Sequence, residues 1–153
     1  MKVAIGSDHG GFALKEKIKK YLSEDLKIEY EDFGTFNTNR CDYPDYAFLV
    51  ARAVASNKCD FGIMVDGAGI GSAMMANKVP GVLAACANEI YTAHNSREHN
   101  GANVLTLGSF VVGEGVVKEI VKVFLTTKFE GERNLKRIKS ILDIEKRLVI
   151  SKE

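Results

Sequence analysis

The 153-residue chain has almost no net charge: 21 Lys and Arg stand against 20 Asp and Glu, a formal balance of +1. That balance leaves no electrostatic footprint for nucleic acid or an anionic membrane, so any anion site has to be local. Cysteine is scarce as well. Cys41, Cys59 and Cys86 are odd in number and form no C-x-x-C pair, which excludes a disulfide framework and gives no sign of a zinc site. A reducing cytoplasm is the expected compartment. No segment approaches the roughly 18 apolar residues of a membrane span, and the apolar start of MKVAIGSDHGG is interrupted at once by Asp8 and His9. Neither secretion nor membrane insertion is expected. Linkers rich in Pro, Gly or Ser, repeats and low-complexity tracts are all missing. Residues 1–153 therefore read as one compact domain, and 46% hydrophobic content is enough for a core.

What the chain does have is an alternation. Short apolar, β-branched runs at 3–6, 28–33, 61–65, 82–86 and 104–107 are each followed by a stretch of helical period, at 11–24, 44–56, 71–78, 89–98 and 113–125. In the last of these, Val117, Ile120, Val121, Phe124 and Leu125 form one stripe. Strict β-α alternation predicts a five-stranded parallel sheet covered by helices on both faces. Right-handed crossovers then gather the loops after the strands at one edge, where α/β proteins bind ligands. A further helical stretch, 130–147, carries Leu135, Ile138, Ile141, Leu142 and Ile144 with no later strand to cover, and is expected to reach over a neighbouring subunit.

The segment FGIMVDGAGIGS (61–72) is the most informative. A strand-like run ends on Asp66, and Gly67, Gly69 and Gly71 lead into a helix, placing a carboxylate beside exposed backbone N–H groups that suit a phosphate or an enolate-like oxyanion. The spacing G-x-G-x-G is neither the dinucleotide fingerprint nor a P-loop, so a nucleotide site is the weakest reading. The loop also reads as a tight strand-to-helix connection with Asp66 an ordinary N-terminal acid. Asp8 and His9 follow the first strand and stand at the same edge, able to hold a hydroxyl and to donate to an anion, or to serve the turn. His99 and Asn100 close a helix, with Gly101 suited to its C-cap. Arg133 and Arg137, four apart, share one helix face and fit two contacts to one phosphate or a solvated basic face.

Together these residues resemble a known family. SDHGGF (7–12), DYPDYA (42–47), the glycine loop followed by ANKVPG (76–81), SREHNGANVL (96–105), VVGEG (111–115) and FEGERNLKR (129–137) are similar to the ribose-5-phosphate isomerase B family, which also contains the galactose-6-phosphate isomerase subunits. The likeness runs from the first strand to the tail helix. It implies a Rossmann-like three-layer α/β/α fold, a homodimer or dimer of dimers, and a site without metal or cofactor that is shared by two subunits. The implied reaction converts an aldose phosphate to a ketose phosphate, most simply ribose 5-phosphate to ribulose 5-phosphate. His99 would help to open the sugar ring, and a base on the glycine loop would take the C2 proton. The N–H groups of Gly67, Ala68, Gly69, Ile70 and Gly71 would hold the enediolate. Asp8 and Asn100 would orient hydroxyls, His9, Arg133 and Arg137 would hold phosphate, and Tyr43 would lie near the sugar.

The chain departs from the family pattern where the chemistry is expected. Asp66 stands in place of the usual catalytic cysteine, Ala68 in place of a hydroxyl-bearing residue, and Ser72 where some cysteine-lacking members have a glutamate base. Phe110 occupies the place of a phosphate-binding arginine, and Asn134 that of a histidine. A carboxylate is a competent base beside a carbonyl, so Asp66 is the expected replacement. The departures leave two alternatives open: a paralogue acting on another sugar or sugar phosphate, and a protein that binds sugar phosphates without turning them over.

Overall fold

The computed structural model describes residues 1–150. In chain order the elements are β1 (Lys2–Ser7), α1 (Phe12–Lys20), β2 (Glu29–Asp32), α2 (Tyr43–Ala55), β3 (Phe61–Asp66), α3 (Ile70–Ala76), β4 (Ala84–Cys86), α4 (Ile90–Glu98), β5 (Val104–Gly108), α5 (Glu114–Thr126) and α6 (Glu132–Ile150). A π-type turn at Tyr21–Asp25 continues α1. The five strands form one sheet in the order β2-β1-β3-β5-β4, and every pairing is parallel. The expected α/β architecture is present.

Strand periodicity of two divides the core into two layers. Val3, Ile5, Ile63, Val65, Leu105 and Leu107 face one way, against Leu14 and Ile18 of α1, Ala93 of α4 and the Val117 to Leu125 stripe of α5. The intervening residues Ala4, Met64 and Val104 face α2 and α3, packing with Ala47, Val50, Val54 and Ala76. Near-continuous apolar strands are what a parallel sheet buried on both faces requires. The central strand β3 shows it, with every residue from Gly62 to Asp66 buried.

The strand order reverses between β1 and β3: from β1 the chain goes out to β2 on one side, then returns to β3 on the other. This is the switch point at which the carboxyl ends of the strands leave a crevice. Beneath it lies an ionic cluster. Lys15 of α1 is wholly buried and reaches Asp32 at the end of β2, 2.5 Å away; Lys19 joins the same carboxylate at 2.7 Å. Burial alone would raise the Asp32 carboxyl, but hydrogen bonds from Lys15, Lys19 and the Gly34 N–H outweigh it and hold the group below its ordinary value.

The tail helix α6 is longer than the 130–147 stretch read from the sequence and runs under the opposite edge of the sheet. Its approach is tied by the Glu130 N–H donating to the Glu98 carbonyl at 2.8 Å, and its far part by the Gly81 N–H donating to Glu145 at 2.8 Å. Leu135, Ile141, Ile144 and Val149 stay exposed on it.

Candidate functional site

At the carboxyl edge, β1 and β3 deliver the two expected loops side by side, joined by the Asp8 N–H donating to the Val65 carbonyl at 3.2 Å. The Asp8 carboxylate accepts the Gly11 N–H at 2.9 Å, so the turn role read from the sequence is realised. His9 is exposed, and its Nδ1 lies 3.0 Å from the Cys41 carbonyl oxygen.

The Asp66 side chain is 4% exposed and turned into its own loop. Oδ1 accepts the N–H groups of Ala68, at 2.9 Å, and of Gly69; Oδ2 accepts the Ser72 N–H at 2.9 Å and the Ser72 hydroxyl at 2.5 Å. Both oxygens thus carry two donors each. The carboxylate anchors the start of α3, and to receive a proton from a ligand it has to exchange one of these partners. Of the loop's N–H groups, Asp66 takes those of Ala68 and Gly69, and those of Gly67, Ile70 and Gly71 remain for a ligand.

Packing leaves the loop little room to move. Gly69 has φ of +82°, and a Cβ there would lie 3.0 Å from both the Cys86 sulfur and the Leu107 backbone, so the position suits only glycine. A Cβ on Gly71 would come within 2.5 Å of the Tyr43 ring, which therefore lies directly on the loop. Ala68 and Ile70 are exposed at the mouth. Phe110 stands 85% exposed against Gly67 and Gly10, closing one side of the crevice with an apolar wall.

Three residues that hold this loop escaped the sequence reading. Asn88 donates to the Ala68 carbonyl at 3.0 Å and accepts the Gly108 N–H at 2.8 Å. Thr106 donates its hydroxyl to the Gly69 carbonyl at 2.7 Å. Cys86 lies beside them, and desolvation, with the Asp66 carboxylate adding to it, pushes its thiol above the ordinary value, so it stays protonated. Asn88 carries the same signal as Asp8, a polar side chain just after a strand.

The other expected residues are not here. α4 and α5 both run back from the carboxyl edge, so His99 and Asn100, after α4, and Arg133 and Arg137, on the first turns of α6, gather at the amino edge. A six-residue strand at about 3.3 Å per residue separates the two groups by about 20 Å. At this second place His99 Nδ1 is 2.9 Å from Asn95 Nδ2, and Nε2 is 3.2 Å from Glu98 and 3.6 Å from Glu130. Glu98, His99 and Glu130 bring ligand-type atoms within 4.8 Å of one another, the one such cluster among the described residues; a proton on Nε2 already satisfies that arrangement. Asn134 is buried, donates to the Glu130 carbonyl at 3.3 Å and accepts from Arg137 at 3.3 Å, so it serves the helix start. Arg133 and Arg137 are exposed.

The Ribose/Galactose Isomerase family model matches residues 3–141. The chain belongs to that family. Ribose-5-phosphate isomerase B of Escherichia coli is 44% identical over 146 residues, spanning 95% of this chain and 97% of the relative. The ribose-5-phosphate isomerase B structure from Clostridium thermocellum superposes with a TM-score of 0.94 at 46% identity, covering 97% of this chain and 99% of that one. The enzyme from Mycoplasma genitalium, solved with bound ribulose 5-phosphate, superposes with a TM-score of 0.90 at 42% identity over 95% of this chain and 96% of its own. The family and the fold expected from the motifs are therefore those found. No helix among the described residues is long and apolar enough to cross a membrane.

Proposed function

We propose that the chain is an aldose–ketose isomerase that interconverts ribose 5-phosphate and ribulose 5-phosphate through an enediolate, without a metal or cofactor, in a site built by two subunits. The observation that carries this reading is the Asp66 loop at the switch point of a family fold whose relatives are named for that reaction. Opening the ring breaks C1–O4, forms C1=O1 and moves a proton from O1 to O4. The base then takes the C2 proton, and the C–H electron pair becomes the C1=C2 bond of the enediolate as the C1=O1 π pair moves onto O1; the O2 proton passes to O1, and return of the base's proton to C1 re-forms the carbonyl as the ketone C2=O2.

Asp66 is the proposed base, released from the Ser72 hydroxyl as sugar enters. The free N–H groups of Gly67, Ile70 and Gly71 stabilise the oxyanion, with Ala68 and Gly69 shaping the loop. Asp8 and Tyr43 orient hydroxyls, and His9 meets the phosphate. His99, Asn100, Arg133 and Arg137 lie at the wrong edge to serve this loop in their own subunit. A second copy, turned so that its amino edge faces this carboxyl edge, supplies them, and the site is incomplete without it. The exposed apolar residues of α6 support its expected reach over that neighbour. Such a dimer, or a pair of them, works in the cytoplasm.

Proton NMR in deuterated water with ribose 5-phosphate tests the reading: ribulose 5-phosphate should form and the C2 proton signal should fade, also after exhaustive EDTA treatment. A folded protein that binds the sugar and exchanges nothing would leave a sugar-phosphate binder. Phe110 favours one variant of the proposal, a substrate with less charge at the end remote from the carbonyl, because an exposed aromatic ring offers an anion no counter-charge. Faster turnover of free pentoses than of their phosphate esters would identify it.

A further inference from the structure

His99 does not choose its own tautomer; the polar groups around it do. The Asn95 backbone carbonyl can only accept, and Asn100 Nδ2 lies 3.2 Å from it, which fixes the Asn100 amide as the donor. The same Nδ2 lies 3.1 Å from Asn95 Oδ1, so that oxygen is an acceptor and the Asn95 amide is fixed in turn. Its Nδ2 is thereby aimed at His99 Nδ1, 2.9 Å away, and can only donate. Nδ1 must offer its lone pair, leaving the ring proton on Nε2. The other side of the ring agrees: Nε2 faces the acceptor-only carboxylates of Glu98 at 3.2 Å and Glu130 at 3.6 Å. Glu98 also meets His94 at 3.5 Å, and the Glu130 N–H donates to the Glu98 carbonyl, holding both carboxylates on this side. No part of the sequence reading touched Asn95, which sits one turn before His99 on α4, so the i and i+4 positions share a face.

We propose that Asn95 is a positioning residue that holds His99 as the Nε2–H tautomer, so that the ring can serve a sugar only as a hydrogen-bond donor, through an Nε2–H released from Glu98. A donor is what O4 needs as the C1–O4 bond breaks and negative charge grows on it. The catalytic consequence rests on the reading of His99 as the ring-opening residue; the tautomer does not.

The test uses the full protein labelled with 15N-histidine, which has only three rings, His9, His94 and His99, with His99→Gln identifying the third. Two-bond proton–nitrogen correlations at neutral pH should show a bare Nδ1 and a protonated Nε2 in His99. Asn95→Asp replaces the donor with an acceptor and should protonate Nδ1, while the His9 signals at the far edge stay in place and report an intact fold. A protonated Nδ1 in the unaltered protein, or a bare one in Asn95→Asp, overturns the proposal.

The kinetic readout separates ring opening from proton transfer. Ribulose 5-phosphate has no ring, because phosphate occupies its O5. Asn95→Asp should slow conversion of ribose 5-phosphate at least about tenfold, while deuterium exchange at C1 of ribulose 5-phosphate continues at nearly the original rate. Equal loss of both would overturn the positioning role. If the unaltered protein acts on neither sugar, the isomerase reading fails, and the spectra alone decide the tautomer.

Discussion

The two edges of the sheet carry their candidate functional groups in opposite ways. At the carboxyl edge the chemistry is part of the fold: Asp66 is buried with four donors on it, Gly69 fits only as glycine, and Tyr43 rests on Gly71. At the amino edge, Arg133, Arg137 and Asn100 stand exposed on helix ends with few partners in their own subunit. The first edge is finished by folding, and in the proposed two-subunit site the second is finished by assembly. Variants at the first should therefore cost stability and rate together, and variants at the second should cost rate alone.

The largest effect is expected at Asp66. Asp66→Asn should slow C2 proton exchange by about 10²–10⁴-fold, the contribution of a positioned base. It should also lower stability by about 1–3 kcal/mol, because the amide turns a donor towards the N–H and O–H groups it now serves. Denaturant titration beside the exchange assay checks both, and a large rate loss without destabilisation would separate the base from the anchor.

Lys15→Met follows. The pair with Asp32 is buried on the lysine side, and breaking such a pair costs about 3–5 kcal/mol; with Lys19 still on Asp32, about 3 kcal/mol is expected in chemical denaturation. The same cluster predicts acid sensitivity. Because the folded Asp32 carboxyl is held below its ordinary value, its contribution is complete above that value and is lost as pH falls through the folded one. Stability measured down a series of acid buffers should fall there, and fall less steeply in Lys15→Met.

The smallest combined effect belongs to the amino edge. Arg137→Ala should raise KM for a sugar phosphate about tenfold to a hundredfold, the loss of one charged hydrogen bond, with Tm unchanged. A matching drop in Tm would mean that Arg137, through its contact with Asn134, belongs to the fold after all.

Most of the fold was legible because a parallel sheet writes its period directly into the chain: Val3, Ile5, Ile63 and Val65 alternate with Ala4 and Met64, and turns fall between. The carboxyl-edge loops followed from topology once the strands were known. Strand termini shifted by a residue or two, β4 keeping only Ala84–Cys86, because backbone pairing with β5 rather than apolar content sets its length. The inward turn of Asp66 could not be read, since a carboxylate beside free N–H groups looks the same whether it faces them or a ligand. Thr106 and Asn95 were invisible for a related reason: each acts on a residue brought near by the sheet or one helical turn away, and no spacing marks such a side chain as a partner, whereas Asn88 shared with Asp8 its place just after a strand. The separation of His99 from Asp66 follows from the direction of α4.

Mixing two inactive variants tests the shared site most directly. Asp66→Asn and His99→Gln proteins, unfolded together and refolded in equal amounts, form mixed dimers in which one of the two sites draws both residues from unaltered copies. If each site takes Asp66 from one subunit and His99 from the other, about a quarter of the original activity should return, since half of a random mixture is mixed and half of its sites are whole. Mixed dimers as inactive as their parents would contradict a site shared across the interface.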